Sequence, residues 1–454
     1  MEYNYHDKVM LPDLGKQAVM DSVRRAESFM KKNRIAEKDT SLDFYYNRNL
    51  DKHLEQWFPG STLSQIPPFG MRIVPRFAKA RMMVLKGLDR YVSGELAEEY
   101  LSFTHQLDSK AREFSEVAWL IGKCYFRSKW NDKYQRIEYD ILPHAKEYCD
   151  PDGQLFGISY EVGKDHQGKR QFVFWSEARD GEPGMHFLFN TASKIIPVNG
   201  RDDFINPYGI IPISKVQFPS DSMDVSRAAL QVSIAMTEIA LATRFALGQP
   251  VITGIDTEIP NLKSGIDRLI SLPEGASLSY VSPTGSIKDM IESVKMMVNQ
   301  VGQNHSLSIR WGESGTPPSG EALKILSLEN LESRESDIPL FKEWEHSRYE
   351  IDRTLLSVHA NKNLSESYAV DFSEAEFPLS WAEEKDRYLF LLEQGLMSKK
   401  ELYLKLVNPD ALPEEIEEKF NEIQKEQVVE QPETATPLLD ILQACWHIQE
   451  KILV

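Results

Sequence analysis

The sequence predicts an α+β fold, in which blocks of helices and a block of strands follow one another along the chain. Residues 12–38 and 75–123 carry apolar residues at three- and four-residue spacing, which is typical of helices. The spacing in the second block includes Leu85, Leu88, Val92 and Leu96. Between about 131 and 216 the period becomes two, as in residues 136–141 and 171–175, with turn residues between the runs. This block predicts an antiparallel, hairpin-rich sheet.

A near-apolar helix is predicted after the sheet, from about 222 to 247, where Asp221 or Ser222 supplies the cap. Apolar residues occupy more than one of its faces, so this helix has to be covered on several sides. The sequence leaves open whether a partner helix or the core of a monomer covers this helix. Polar residues interrupt its apolar run, 228–247, which argues against a membrane span. The N-terminus lacks the features of a secretory signal.

The following segment predicts a small α/β insert between two helices. Strands are predicted at 251–255 and 276–281, with a short helix at 261–271 between them and a long helix at about 287–303. Two helices that flank such an insert form a hairpin with a head at its end.

A Gly- and Pro-rich loop then opens into a helix from Gly320 to about His359, with Ser319 as N-cap. Pro339 lies inside this helix, where it removes a backbone donor and clashes with the carbonyl four residues earlier, so a kink is predicted there. A strand at 367–372 and an acidic helical end complete the chain, with helices at 382–395, at 398–407, after Pro413 and at 438–454.

Charge and cysteine content narrow the function classes. The 454 residues carry 52 Lys and Arg against 69 Asp and Glu, a net charge of −17, which argues against tight binding of nucleic acid through its phosphates. Weak contact with DNA remains possible, and a duplex that must slide needs that weakness. Cys124, Cys149 and Cys445 are too few and too scattered for a disulfide framework or a thiolate metal site. We expect no metal and no cofactor.

Two enzyme motifs are incomplete, so we expect no catalysis. Gly315 and Gly320 have the spacing of a phosphate-binding loop, but Glu321 and Ala322 stand where Lys and Ser or Thr are required. Residues 343–346 form a single Glu-x-x-His, whereas a di-iron bundle needs two such motifs and two more Glu. A degenerate P-loop or di-iron enzyme is the least favoured alternative.

One local cluster is basic in this acidic chain, and it is the best candidate for contact with a polyanion. A solvated helix face or a subunit contact is the favoured explanation of the cluster. The cluster comprises Arg72, Arg76, Lys79, Arg81, Lys86 and Arg90.

The run from Pro318 to Lys324, Pro-Ser-Gly-Glu-Ala-Leu-Lys, and the Leu-Glu-Asn-Leu-Glu-Ser-Arg that follows resemble a stretch of the portal proteins of tailed bacteriophages. Weaker similarities occur at 45–48, 206–212 and 394–401, and the order of elements is similar nearly throughout. The resemblance implies the portal fold, with wing, stem, clip and crown, assembling as a ring with a central channel. Its parts would be 1–220 (wing), 221–253 (first stem helix), 254–286 (clip), 287–307 (second stem helix), 308–320 (tunnel loop), 321–380 (wing) and 381–454 (crown).

In that family a ring, usually of twelve copies, sits at one capsid vertex of the virion after assembly in the host cytoplasm. The resemblance implies that double-stranded DNA passes through the channel with weak, non-specific contact. It further implies partners: the terminase large subunit, the major capsid and scaffolding proteins and a head-tail adaptor, with no membrane. An acidic helical interaction scaffold without DNA is the alternative. The implied DNA-channel residues are Arg310, Trp311, Gly312, Glu313, Ser314 and Gly315. The implied terminase- or connector-binding residues of the clip are Asp256, Glu258, Asp267, Arg268 and Glu274.

Overall fold

A computed structural model provides the structure of the protein. It describes residues 8–11, 14–28, 32–60, 63, 71–164, 166, 168–179, 181–190, 195–196, 204–245, 249–253, 277–281, 287–307, 309, 328–373, 381–398 and 401–402. The chain divides into two units, which are described separately. The first comprises residues 1–313 and 326–375, and the second comprises residues 314–325 and 376–454.

Helices dominate the start of the first unit, as the apolar spacing predicts. Helix α1 spans Lys16–Ser28 and α2 spans Lys32–Tyr46. The short helix α3, Leu50–Leu54, and α4, Ile73–Arg81, follow. Helix α2 packs on both α3 and α4.

The helical interpretation of residues 75–123 is wrong in the middle of that block. After α4 the chain forms strands β2, Leu88–Val92, and β3, Glu95–Leu96, before α5, Glu98–Ser102, and α6, Leu107–Ile121. Gly87, Ser93 and Gly94 have positive φ angles of 71°, 53° and 85°, which end any helix at these points. The apolar spacing of Leu85, Leu88, Val92 and Leu96 therefore matches a helix only by coincidence.

The predicted antiparallel β block is confirmed. Its strands form a six-stranded sheet in the order β1-β6-β7-β8-β9-β10 and a three-stranded sheet in the order β11-β4-β5. Among the described strands of these two sheets, β1, Lys8–Met10, is the one that pairs in parallel, with β6. The other strands are β4 (Lys123–Asn131), β5 (Arg136–Leu142), β6 (Ala145–Cys149), β7 (Leu155–Lys164), β8 (Arg170–Ser176), β9 (His186–Asn190), β10 (Ile195–Ile196) and β11 (Ile213–Gln217).

The elements that follow occur in the predicted order. Helix α7 spans Asp224–Phe245, and helix α8 spans Ile287–Asn304. Between them lie β12, Gln249–Thr253, and β13, Ser277–Val281, which pair antiparallel; the helix predicted at 261–271 lies outside the described residues. Helix α9, Leu328–Ala360, lies against β4 and β11.

The last strand of the first unit, β14, Tyr368–Phe372, joins a three-stranded sheet in the order β14-β2-β3. Its pairing with β2 joins residues separated by nearly three hundred positions in the chain, from Tyr368 opposite Val92 to Phe372 opposite Leu88. The predicted strand at 367–372 is thus confirmed.

The main core of the first unit forms where α6, β4 and α9 meet. Phe114, Phe126 and Trp344 are buried there, with ring centroids 5.0 Å apart for Phe114 and Trp344 and 5.4 Å apart for Phe126 and Trp344. A second apolar cluster packs α1 against the six-stranded sheet, around Phe174 and Phe187. Buried aromatic rings in contact contribute more than their area alone.

The second unit contains α10, Trp381–Glu393, close to the predicted 382–395. Gly395 follows with a φ of 67°, a conformation that favours glycine and ends the helix. Ser398 and Glu401 then form a capping box, because each backbone N–H donates to the other residue's side chain, at 2.7 and 3.2 Å. Residues 401–402 are helical, as the prediction of a helix from 398 requires. The helices predicted after Pro413 and at 438–454 lie outside the described residues.

By length and composition alone, the stretch Asp224–Thr243 of α7 would suffice to cross a membrane. The mean hydropathy of this stretch is 1.2, and 44% of it is buried inside the protein. A partly buried core helix satisfies the same criteria, so this property does not assign a membrane span.

Candidate functional site

Most of the site residues predicted from the sequence lie outside the described residues. This applies to the tunnel-loop residues, 310–315, and to the five clip residues between 256 and 274. Pro339 lies in the interior of α9, and the kink expected there stays a prediction. The described residues define the hairpin whose two helices flank residues 254–286 in the chain. They also define the two supports on either side of the segment between 307 and 328, hereafter the loop segment.

Helices α7 and α8 form an antiparallel hairpin, because their ends meet at both extremities. At one extremity, β12 and β13 pair from Gln249 opposite Val281 to Thr253 opposite Ser277. The hydroxyls of Thr253 and Ser277 lie 2.9 Å apart. At the other extremity, hereafter the root, the start of α7 contacts the end of α8, and the two helices pack along their length.

Burial along the hairpin falls from the root toward the strands. Val225 and Val232 on α7 are fully buried, and Val294 and Val298 on α8 are nearly so. Between residues 240 and 293, by contrast, every described side chain is at least partly exposed. Ile291 shares a helix face with Val294 and Val298, yet it is 41% exposed. The apolar face thus continues beyond the part of the hairpin that the first unit covers.

Polar residues inside α7 are accommodated by its own backbone. The hydroxyls of Ser233, Thr237 and Thr243 each donate to the carbonyl four residues earlier, at 2.8 Å. Ser233 and Thr237 are fully buried, so these bonds satisfy hydroxyls that water does not reach. Ser233 and Thr237 can therefore lie within the packed part of α7 with their hydroxyls satisfied.

A Schellman motif ends α8 at the root. The Leu307 N–H donates to the Gly302 carbonyl at 2.8 Å, and the Ser306 N–H donates to the Gln303 carbonyl at 3.1 Å. Ser306 adopts the left-handed conformation with a φ of 58°. A Cβ on Gly302 would lie 2.6 Å from Ile309 Cδ1, so the chain leaving the helix folds back closely over this glycine. The loop segment after 307 therefore starts from a fixed point.

A contact between a histidine and a carboxylate closes the root. His305 Nε2 lies 3.0 Å from one carboxylate oxygen of Asp224 and 3.1 Å from the other. His305 also packs edge-on against Trp119 of α6, with centroids 5.1 Å apart. Burial, the largest single effect, would raise the pKa of Asp224, but the contact with His305 and the hydrogen bonds from nearby backbone N–H groups together lower this pKa. The contact ties the first residue of α7 to the end of α8 and to the core.

The predicted cap of α7 takes the form of a turn before the helix. The Met223 N–H donates to the Asp221 carboxylate at 3.4 Å, while the Val225 N–H donates to the Ser222 carbonyl at 3.2 Å. The root thereby meets the end of α6, where a Cβ on Gly122 would lie 3.0 Å from Asp221 Cβ.

The other support of the loop segment is the start of α9, which is bound to the end of α4. The Asn330 side chain donates to the Ala80 carbonyl at 3.0 Å, and Arg81 pairs with Asp337 at 2.6 Å. Arg334 donates to the Ser373 carbonyl. Both supports of the segment between 307 and 328 therefore rest on elements of the first unit.

A buried ion cluster, formed by Arg90, Glu345, Arg348 and Asp352, fixes the middle of α9. Arg348 is fully buried, donates to Glu345 and lies 2.7 Å from Asp352. Arg90 on β2 pairs with Glu345 at 3.0 Å and with Asp108 at 2.7 Å. Two arginines thus balance two fully buried carboxylates, as burial of charge requires.

Tyrosine hydroxyls complete this ion cluster. Tyr100 and Tyr139 donate to Asp352 at 2.6 and 2.8 Å, and Tyr368 donates to Glu345 at 2.8 Å. Burial alone would raise the pKa of Glu345, but Arg348 and Arg90 outweigh it and lower this pKa to about 2. The cluster joins α9 to β2, α5, β5 and β14 through charged hydrogen bonds.

A chain of aromatic rings links the six-stranded sheet to the β11-β4-β5 sheet across the end of α9. Trp130 on β4 stacks on His359, whose Nε2 lies 2.9 Å from the Tyr208 hydroxyl. Tyr208 stacks on Trp175 of β8, which stacks in turn on His186 at a centroid distance of 3.4 Å. Burial, aided by the positive charge of Arg127, lowers the pKa of His186 to about 4. These ring contacts connect the six-stranded sheet to the end of α9.

The basic cluster of the sequence is split by the fold. Arg90 belongs to the buried ion cluster and Arg81 pairs with Asp337, so neither is available on the surface. Arg72, Arg76, Lys79 and Lys86 are exposed. The sequence could not show this division, because Asp337, which pairs with Arg81, and Glu345, the buried partner of Arg90, lie more than two hundred and fifty residues further along the chain.

The described residues contain no group of three His, Cys, Asp or Glu side chains that could hold a metal ion. His346, from the single Glu-x-x-His, packs edge-on against Tyr368, with centroids 5.5 Å apart. Cys124 and Cys149 are buried as free thiols, and burial raises the pKa of both.

Comparisons with known proteins give no family for this chain. No family model matches the sequence, and no curated protein matches it. Among solved structures, the chain is similar to a chain in the virion of a native gene transfer agent particle, with a TM-score of 0.37, 15% identity and coverage of 79% of this chain and 92% of that chain.

Two further similar chains come from the neck of such particles. One, from an empty particle computed with C6 symmetry, has a TM-score of 0.36 and 13% identity and covers 79% of this chain and 93% of that chain. The other, from a native particle computed with C12 symmetry, has a TM-score of 0.36 and 14% identity and covers 77% of this chain and 94% of that chain. TM-scores this low do not assign a family or a function.

Proposed function

We propose that this chain is the portal protein of a tailed-phage-like particle, a structural, non-catalytic subunit of a ring through which double-stranded DNA passes. One observation carries the proposal: the α7–α8 hairpin is anchored at its root, and its apolar face continues, exposed, toward the two-stranded end. A hairpin built in this way needs a cover that the described residues of the first unit do not supply.

A neighbouring copy is the cover that we propose. Exposed apolar surface on an isolated chain marks a contact site. When a patch on one copy meets a different patch on the next, the contact repeats by rotation and closes into a ring. Met296, 69% exposed on the side of α8 opposite Val294 and Val298, supplies a second apolar contact on the same hairpin. Two such faces suit a helix with one neighbour on each side.

The proposed channel loop, residues 310–315, leaves the Schellman motif at Ser306 and returns to α9. The chain's net charge of −17 suits a channel wall that does not retain DNA, since each phosphate neutralised by Lys or Arg would add attraction. The clip residues Asp256, Glu258, Asp267, Arg268 and Glu274 remain the proposed contacts for the terminase or an adaptor.

The native mass of the purified protein at micromolar concentration tests the proposal. The expected result is a closed ring of about twelve chains. Changing Ile291 and Met296 together to Glu should reduce the mass to that of small oligomers, because two charges would enter the apolar contact. Tyr134→Glu is the matched control: Tyr134 is 55% exposed on the turn between β4 and β5, and its replacement should leave the ring intact.

A wild-type mass of one or two chains would contradict the proposal and favour an acidic interaction scaffold. If the variant with Glu at positions 291 and 296 forms normal rings, the hairpin is not part of the interface between copies. A separate variant lacking residues 313–318 should form rings but impair DNA packaging or retention; loss of assembly would assign that segment to the core instead.

A further inference from the structure

The region around α4 lacks acidic residues to an unusual degree. No Asp or Glu occurs from residue 56 to residue 88, although the chain contains 69 acids in 454 residues, and a stretch of this length would hold about five at the average density. Five bases fall in the same stretch: Arg72, Arg76, Lys79, Arg81 and Lys86. A local excess of positive charge in an otherwise acidic chain is an electrostatic footprint for a polyanion.

Three of these basic residues are arranged in a line along helix α4. Its inner face, which includes Val74 and Phe77, is buried in the main core. Arg76 and Lys79 are exposed and three residues apart, so they lie on one outer face of the helix, and the exposed Arg72 immediately precedes its first turn. At 1.5 Å per residue, the seven steps from Arg72 to Lys79 extend about 10.5 Å.

The acidic groups near this face do not neutralise its positive charge. Asp337 is paired with Arg81, and Glu345 with Arg90. Lys79 is close enough to Glu116 to favour the ionised form of that carboxyl, which is buried and accepts a hydrogen bond from Tyr45 at 2.6 Å. Burial nevertheless dominates and raises the pKa of Glu116. The outward charge of the face is therefore positive.

We propose that Arg72, Arg76 and Lys79, extended by the exposed Lys86, bind the phosphate backbone of duplex nucleic acid without sequence preference. Phosphates of one strand advance about 3.4 Å along the duplex axis, so a line of about 10.5 Å spans about three of them. Two of the three cations are arginines, whose planar forks match phosphate oxygens. A protein partner fits less well, because interface centres are enriched in aromatic residues and depleted of charge.

This site is distinct from the proposed tunnel loop and does not require a ring. Neutralising four phosphates gives a slope of log K against log salt of about −3.6, so affinity should fall about 150-fold between about 50 and 200 mM salt. With Arg72, Arg76 and Lys79 replaced by Gln, one cation remains, the slope should be about −0.9, and the loss should be about fourfold at most.

The experiment measures fluorescence anisotropy of a labelled duplex of about 12 base pairs, short enough to engage one patch, across that salt range. The full-length wild type is compared with the triple Gln variant and with a control that carries Lys133→Gln, Lys164→Gln and Lys342→Gln, three exposed cations elsewhere. Thermal unfolding verifies that the variants are folded. The expected result is a shallow slope for the α4 variant alone.

Absent binding by wild type, an unchanged slope in the α4 variant, or an equal loss in the control would each overturn the proposal. Competition by polyglutamate as effective as unlabelled duplex at equal charge would assign the face to an acidic protein instead. Native mass on the same samples separates this site from the proposed function. If the protein forms rings but the α4 variant keeps the wild-type salt slope, only the α4 site is refuted. If a monomer binds the duplex with the expected slope, only the ring is refuted.

Discussion

Arg348 is the residue whose replacement should destabilise the first unit most sharply. It is fully buried and lies between Glu345 and Asp352. In Arg348→Met, Arg90 still balances Glu345, but Asp352 retains only the hydroxyls of Tyr100 and Tyr139. Breaking a buried pair by removing one partner costs about 3–5 kcal/mol, a large part of the roughly 5–15 kcal/mol that stabilises a typical domain.

Urea unfolding followed by tryptophan fluorescence measures this loss, since the Arg348 guanidinium lies 5.7 Å from the Trp344 ring centre. The double variant Arg348→Met, Asp352→Asn should recover at least about 1 kcal/mol, because it removes the uncompensated carboxylate. Arg353→Met is the control: its ion pair with Glu366 is on the surface and should contribute at most about 1 kcal/mol. A loss under about 1 kcal/mol for Arg348→Met, or no recovery in the double variant, would refute the reasoning.

Three further predictions concern pH and the hairpin root. The Glu345 pKa of about 2 lies below its usual 4.5, so its stabilising effect is complete above pH 4.5 and is lost as the pH falls through 2; Glu345→Gln should flatten this acid limb of the unfolding curve. The His186 pKa of about 4 lies below its usual 6.5, so the neutral ring stabilises the fold above pH 6.5 and this effect declines toward pH 4; an NMR titration midpoint near 6.5 would contradict the stacked, buried ring. Gly302→Val should destabilise by about 1–3 kcal/mol in thermal unfolding, because its Cβ meets Ile309 Cδ1 at 2.6 Å, and a neutral result would mean that the segment after the helix moves away freely.

Periodicity identified most of the elements because it reports burial on one face. The alternation in 136–141 and 171–175 became β5 and β8, and the apolar spacing after 222 and 287 became α7 and α8. The same rule failed between Leu85 and Leu96, where backbone conformation at Ser93 and its neighbouring glycines decides the outcome. Apolar spacing cannot report a positive φ at a serine.

The supports of the candidate site were harder to predict, since they depend on contacts between distant residues. Ser306 occupies the left-handed position of the Schellman motif, where the sequence signal is normally a glycine. Arg90 belongs to the basic cluster of the sequence, yet in the structure it is buried and paired with Glu345. The acids three residues before and four residues after Arg348 were the one local sign of that ion cluster.

Class-averaged electron micrographs of the purified protein test the central claim most directly. The account predicts an annulus of repeated subunits around an axial opening, with the α7–α8 hairpins of neighbouring copies in contact around it. Single particles of one or two chains, or a closed assembly with no axial opening, would contradict it.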